Sequence, residues 1–110
     1  MDADVFAALA SDIRLKVFRL LVANAPEGMP AGQIALRLEV PASTLSAHLA
    51  QLERAGLLRS WREQQRILYA IDTAGTQSLV GFLVNDCCGG QPELCGLGTK
   101  KRPIKRVRKA

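Results

Sequence analysis

The chain has 110 residues, 48% of them apolar and 23% charged, which suits one globular domain and leaves no room for a second core. No apolar run nears the roughly 18 residues that a membrane-spanning helix needs. The acidic start Met1-Asp2-Ala3-Asp4 lacks the basic region of a secretory signal, so a cytoplasmic location is expected. The net charge of +5 is unevenly placed: residues 1–99 carry eight Arg/Lys against ten Asp/Glu, a net of −2. Residues 100–110 hold Lys100, Lys101, Arg102, Lys105, Arg106, Arg108 and Lys109 and no acid, so this basic tail is expected to be disordered and solvated, either an arm that neutralises phosphates or a solubilising tail with no specific role.

Val5, Phe6 and Leu9 recur at helical spacing and predict a short helix over residues 3–10. Ser11 suits the N-cap of a second helix, with Asp12 in its first turn where the macrodipole favours an anion. Ile13, Val17, Leu20 and Leu21 form that helix's apolar stripe, with Arg14, Lys16 and Arg19 off it, and Asn24-Ala25-Pro26-Glu27-Gly28 stops it. Pro30 suits the first turn of a third helix carrying Ile34, Ala35 and Leu38 on one face, and Val40-Pro41 breaks it. A fourth helix is predicted from Ala42 to Ala55, with Leu45, Leu49 and Leu52 inward, Gly56 as its left-handed cap and Leu57 as the cap's apolar partner.

The period then changes. Residues 58–62 and 67–71 flank the polar stretch Glu63-Gln64-Gln65-Arg66 and read as a β-hairpin. Asp72-Thr73 can cap a last helix over residues 74–86, whose run Leu79-Val80-Gly81-Phe82-Leu83-Val84 is apolar nearly all the way round. In so short a chain such a helix is best hidden against a second copy. The expected fold is mainly α with a β-hairpin, α-α-α-α-β-β-α, a winged helix-turn-helix. Residues 1–86 are expected to form one DNA-binding and dimerisation domain, on the grounds given next, with 87–99 a cysteine-rich inducer-binding segment and 100–110 the tail.

A helix-turn-helix sends the N-terminal end of its second helix into the major groove of DNA. With Leu45 and Leu49 inward, Ser43, Thr44, Ser46 and Ala47 lie on the open face, where small hydroxyl residues allow close approach and thymine methyls find apolar contact. His48 sits on the flank, either to touch a phosphate or as a partly buried structural histidine. Arg62 and Arg66 bracket the hairpin turn, either as solvated surface residues or as arginines that reach a minor groove.

Three stretches together, Phe6-Ala-Ala-Leu-Ala-Ser-Asp-Ile-Arg-Leu15, Ser43-Thr-Leu-Ser-Ala-His-Leu49 and Leu52-Glu-Arg-Ala-Gly-Leu-Leu58, resemble the hallmark segments of the ArsR/SmtB metalloregulatory repressors over about residues 3–86. The resemblance implies a homodimer built through the first and last helices, bound to an inverted-repeat operator and released by an inducer. Pro41 departs from the pattern, since many members carry Ser or Thr there as the cap of the reading helix.

Cys87, Cys88 and Cys95 are the three cysteines of the chain and fall within nine residues. Gly89, Gly90 and Pro92 would let the backbone fold back and deliver the third sulfur to the first two. Three thiolates balance the charge of As(III) or Sb(III), whose lone pair suits a three-coordinate pyramid. Zinc usually takes four ligands, often imidazole, and here would have to recruit Asp86, Glu93 or water. Cd(II), Pb(II) and thiol oxidation remain open as inducers. The cluster resembles the C-terminal three-cysteine site of some arsenic-responsive members of the family. An enzyme reading finds little support: there is one histidine, no glycine loop for a phosphate and no Cys-x-x-Cys, so no catalytic residue or catalytic cofactor is expected.

Overall fold

The computed structural model describes residues 3–87, and its helices begin and end where side-chain chemistry permits. Helix α1 spans Asp4–Leu9 and α2 spans Asp12–Ala23. Ser11 caps α2 from an extended backbone, its hydroxyl accepting from the Arg14 N–H at 3.3 Å. Val17 and Leu21, on the inward stripe of α2, are fully buried.

After α2 the structure adds an element that the sequence pattern did not foretell. Residues Met29–Pro30 form a short strand β1, which pairs antiparallel with β3 (Arg66–Ile71) in the register Met29↔Tyr69 and Pro30↔Leu68. With β2 (Leu58–Glu63) this makes a three-stranded sheet in the order β1-β3-β2, where a two-stranded hairpin was expected. Two residues cannot show a period of two, and Pro30 is tolerated because β1 is an edge strand. Gly28 makes the approach possible: its φ is +79°, and a Cβ there would collide with the Tyr69 carbonyl oxygen. Pro30 is at once the last strand residue and the N-cap of α3, Ala31–Leu38.

Helix α4 runs Ala42–Arg54 and buries Leu45, Leu49 and Leu52 as expected. It ends in a Schellman closure: the Leu57 N–H donates to the Leu52 carbonyl at 3.1 Å and the Gly56 N–H to the Glu53 carbonyl at 3.0 Å. Gly56 takes the left-handed conformation at φ +86°, and Leu57 and Leu58 are buried beside it. In the β2–β3 hairpin Glu63 faces Arg66, so the turn is Gln64-Gln65, with Gln64 at φ +59°.

Asp72 caps α5 (Thr73–Gly81) by accepting from the Gly75 N–H at 2.9 Å. The single helix expected over 74–86 is not continuous. At Gly81, a poor helix former, the α-helical ladder gives way to a π-helical segment, Phe82–Cys87. The chain divides into two compact units between Thr76 and Gln77. The first holds α1 to β3 and the start of α5, with a core of Val17, Leu21, Ile34, Leu45, Leu49, Leu52 and Leu57. The second begins inside α5, where Leu79 is buried and Val80 is exposed. Among the described residues no helix is long and apolar enough to cross a membrane.

Candidate nucleic-acid interface

Helices α3 and α4 are joined by three residues, Glu39-Val40-Pro41. Glu39 closes α3 in the left-handed conformation at φ +57°, an unusual residue for that role. The Val40 N–H returns to the Ala35 carbonyl at 3.0 Å, and this closure turns the chain sharply into α4. Pro41 is the N-cap residue of α4, and it offers no side-chain acceptor. The first-turn N–H groups of α4 are therefore left to solvent or to a phosphate.

Four of the residues expected to contact bases and phosphates, Ser43, Thr44, Ser46 and Ala47, are exposed on one face of α4, while Leu45 among them and Leu49 one turn on are buried. Between Ala42 and Gln51 the helix carries no carboxylate, and His48 is its one titratable side chain. A neutral, short-chained surface can approach a polyanion without repulsion. A small cavity of about 140 Å³ runs from Ala31 and Gly32 past Ala42 and Ser46 to Ile67 and Tyr69, so the reading helix and the hairpin share one groove.

The hairpin's register decides what its two arginines can do. Cross-strand partners share a face, so Arg62, Ile67, Ser60 and Tyr69 lie on one side and Arg66, Glu63, Trp61 and Leu68 on the other. The first side looks toward α4: Ser60 donates to Glu53 Oε2 at 2.8 Å, and Tyr69 lines the groove. Arg62 therefore emerges on the reading side. Arg66 emerges on the opposite side and pairs with Glu63 at 3.7 Å, with both groups more than half exposed. Arg59 lies on that side too, its guanidinium 4.7 Å from the centre of the Trp61 ring.

His48 is half-buried, and its Nδ1 lies 3.1 Å from Arg14 Nη1. Arg14 was expected off the buried stripe of α2. It is instead half-buried and turned inward, because the last carbonyls of α1 need donors: Nε donates to the Ala8 carbonyl at 2.6 Å and Nη2 reaches the Ala7 carbonyl at 3.5 Å. The apolar periodicity of α2 carries no sign of this role. Tyr69 also escaped the pattern. Its hydroxyl is pushed above the ordinary tyrosine range, first by burial and then by the nearby Glu53 carboxylate.

Of the cysteines expected from the sequence to hold an inducer, Cys87 ends the π-helical segment and only its backbone is described, while Cys88 and Cys95 lie outside the described residues. Among the described residues no three His, Cys, Asp or Glu side chains gather as a metal site. The basic tail also lies outside them.

Comparison with known proteins points the same way as the geometry. The helix-turn-helix domain family matches residues 9–60. The chain is 32% identical to the transcriptional activator HlyU of Vibrio cholerae over 76 residues, covering 69% of this chain and 68% of HlyU. It is 31% identical to the regulator YgaV of Escherichia coli, covering 78% and 85% of the two chains. With the transcriptional repressor SdpR of Bacillus subtilis the identity is 29%, over 83% and 98%. Among solved structures it resembles the homodimeric winged helix-turn-helix DNA-binding domain of Mb0332 from Mycobacterium bovis, a possible ArsR-family regulator, with a TM-score of 0.59, 32% identity and coverage of 76% and 78%. An ArsR-like regulator from Rhodococcus sp. RHA1 shares the fold over 93% of each chain, at a TM-score of 0.68 and 24% identity.

Proposed function

We propose that this chain, which belongs to the helix-turn-helix transcriptional regulators that include HlyU and YgaV, is a repressor that binds an inverted-repeat operator as a homodimer and leaves it when a trivalent metalloid is captured by Cys87, Cys88 and Cys95. The observation that carries the DNA-binding part is the exposed, uncharged face of Ser43, Thr44, Ser46 and Ala47 on a helix held by three buried leucines. The hairpin beside it supplies Arg62 for a neighbouring groove or phosphate. Dimerisation has support in the homodimeric Mb0332 domain. The first and last helices are the proposed contact: Phe6 of α1 and Val80 of α5 leave apolar surface exposed.

The inducer reading rests on donor chemistry and position. Three soft thiolates match As(III) or Sb(III) in charge and coordination number. The first of them closes the π-helical extension of the proposed dimer helix, so constraining that end would alter the relative pose of two reading helices. Regulation requires the inducer to favour the DNA-free form by about 1–3 kcal/mol, and DNA must weaken inducer binding by the same factor.

The test is fluorescence anisotropy of the reduced protein on its own promoter DNA, titrated separately with arsenite, zinc, cadmium and peroxide. Release at about one arsenite per site, reversed by excess dithiol, is expected. Release by peroxide or a divalent ion instead would keep the regulator and replace its inducer. Failure to bind promoter DNA above random DNA would overturn the function itself.

A further inference from the structure

We infer that Arg14 is a positioning residue of the DNA-reading helix, one guanidinium that ties the end of α1 to His48 on α4 and so fixes where α4 stands. The inference rests on the DNA-binding reading above. Its basis is the number and direction of Arg14's bonds. The backbone N–H is held by Ser11 Oγ, Nε and Nη2 serve two carbonyls of α1, and Nη1 serves the His48 ring. One side chain thus joins three helices, and a planar fork of donors holds an angle that a lysine's point charge cannot.

Arginine stays charged and can only donate, so His48 Nδ1 must accept. The neutral ring is then the tautomer with its proton on Nε2. Leu45 and Leu49 flank His48 on α4 and are buried, but apolar packing has no direction and lets a helix slide or turn slightly. Base contacts demand placement to about 0.5 Å, which a charged, directional bond one turn beyond Thr44 can supply. Because α1 belongs to the proposed dimer contact, the same guanidinium is one directional link between that contact and the reading helix, beside the direct packing of α1 on the end of α4. Simple capping of α1 is the competing role, and it makes no use of the His48 acceptor.

Three readouts on the full chain separate these. His48 is the one histidine of the sequence, so its ring nitrogens give an unambiguous ¹⁵N NMR signature. The wild type is expected to show the Nε2–H tautomer, and R14Q a shift toward a mixture. Operator affinity of R14Q, and of H48L, is expected to fall about tenfold with the salt slope unchanged, the loss of one charge-assisted bond. H48N places an amide oxygen near the Nδ1 position and is expected to recover most of what H48L loses. Far-UV circular dichroism checks that each variant folds, and R14K, which keeps the charge but not the fork, is expected to lose affinity as R14Q does. The inference is overturned if the wild-type ring shows no tautomer preference, if H48N is as impaired as H48L, or if R14Q weakens operator and random DNA equally with a slope lower by about one, the mark of a direct phosphate contact. A wild type that binds no operator overturns the proposed function, while the ring signature still decides the Arg14–His48 link.

Discussion

In the proposed function the middle of this chain and its cysteine-bearing end contribute in different ways. From α3 to β3, residues 31–71, the chemistry of each side chain is ordinary and the placement is everything: hydroxyls and methyls matter because buried leucines and a three-residue turn present them together. From Phe82 onward the case is reversed. There the side chains are chemically unusual, three thiols in nine residues, and they carry meaning before any geometry is known. The proposed reading surface depends on where its short side chains are held, whereas the proposed sensing role depends on the donor chemistry of the thiols.

The largest test of this contrast is Leu49→Ala. Leu49 is 1% exposed in the core under the reading face, so its truncation is expected to cost about 2–5 kcal/mol of stability and abolish operator binding near the midpoint of unfolding. Urea denaturation followed by circular dichroism measures it. A loss below about 1 kcal/mol would mean that the reading face does not depend on this core. Next comes Cys87→Ser. It is expected to leave unfolding and operator affinity as they are and to reduce the arsenite response, erasing a coupling of about 1–3 kcal/mol. A C87S protein that still releases DNA at low arsenite would sink the three-thiolate reading.

The same contrast explains what the sequence disclosed. The stripe Val17 and Leu21, the triplet Leu45, Leu49 and Leu52, the Ser11 cap and the Gly56-Leu57 closure were all legible, because periodicity and capping are local signals. So was the open face of α4, which follows from its buried face by geometry. Strand β1 was not, since two residues have no period and its pairing with Tyr69 and Leu68 is long-range. Arg14 was misplaced for a related reason: the carbonyls it serves belong to α1 and its acceptor lies 34 residues away on α4. The break at Gly81 was hidden by a continuous apolar run. The opposite faces of Arg62 and Arg66 needed the register, which a turn without Asn-Gly does not declare.

That register sharpens the comparison at a smaller scale. Arg62→Ala is expected to weaken DNA binding by about 0.5–1 kcal/mol and lower the salt slope by about one, as loss of one phosphate or minor-groove contact would. Arg66→Ala, on the other face and engaged with Glu63, should change affinity less and leave the slope nearly intact. Anisotropy titrations at several salt concentrations read both. Equal effects would mean that the hairpin meets DNA edge-on and that the face assignment carries no functional weight.

The smallest expected effect lies at Tyr69, where the hairpin meets the reading helix. Burial, then Glu53, raises its hydroxyl pKa, so the folded state holds that proton more tightly than the unfolded chain does. For a group shifted upward, the contribution is complete below the unfolded value of about 10 and is lost as pH climbs through the folded one. Wild-type stability should therefore fall more steeply than that of Tyr69→Phe above about pH 10, and both should run parallel below it. Tyr69 is the one tyrosine of the chain, so absorbance titration of phenolate formation reads this group by itself. A titration at the ordinary value would mean that the groove between β3 and α4 is open to water. A raised one means that burial between β3 and α4 holds the proton on the hydroxyl.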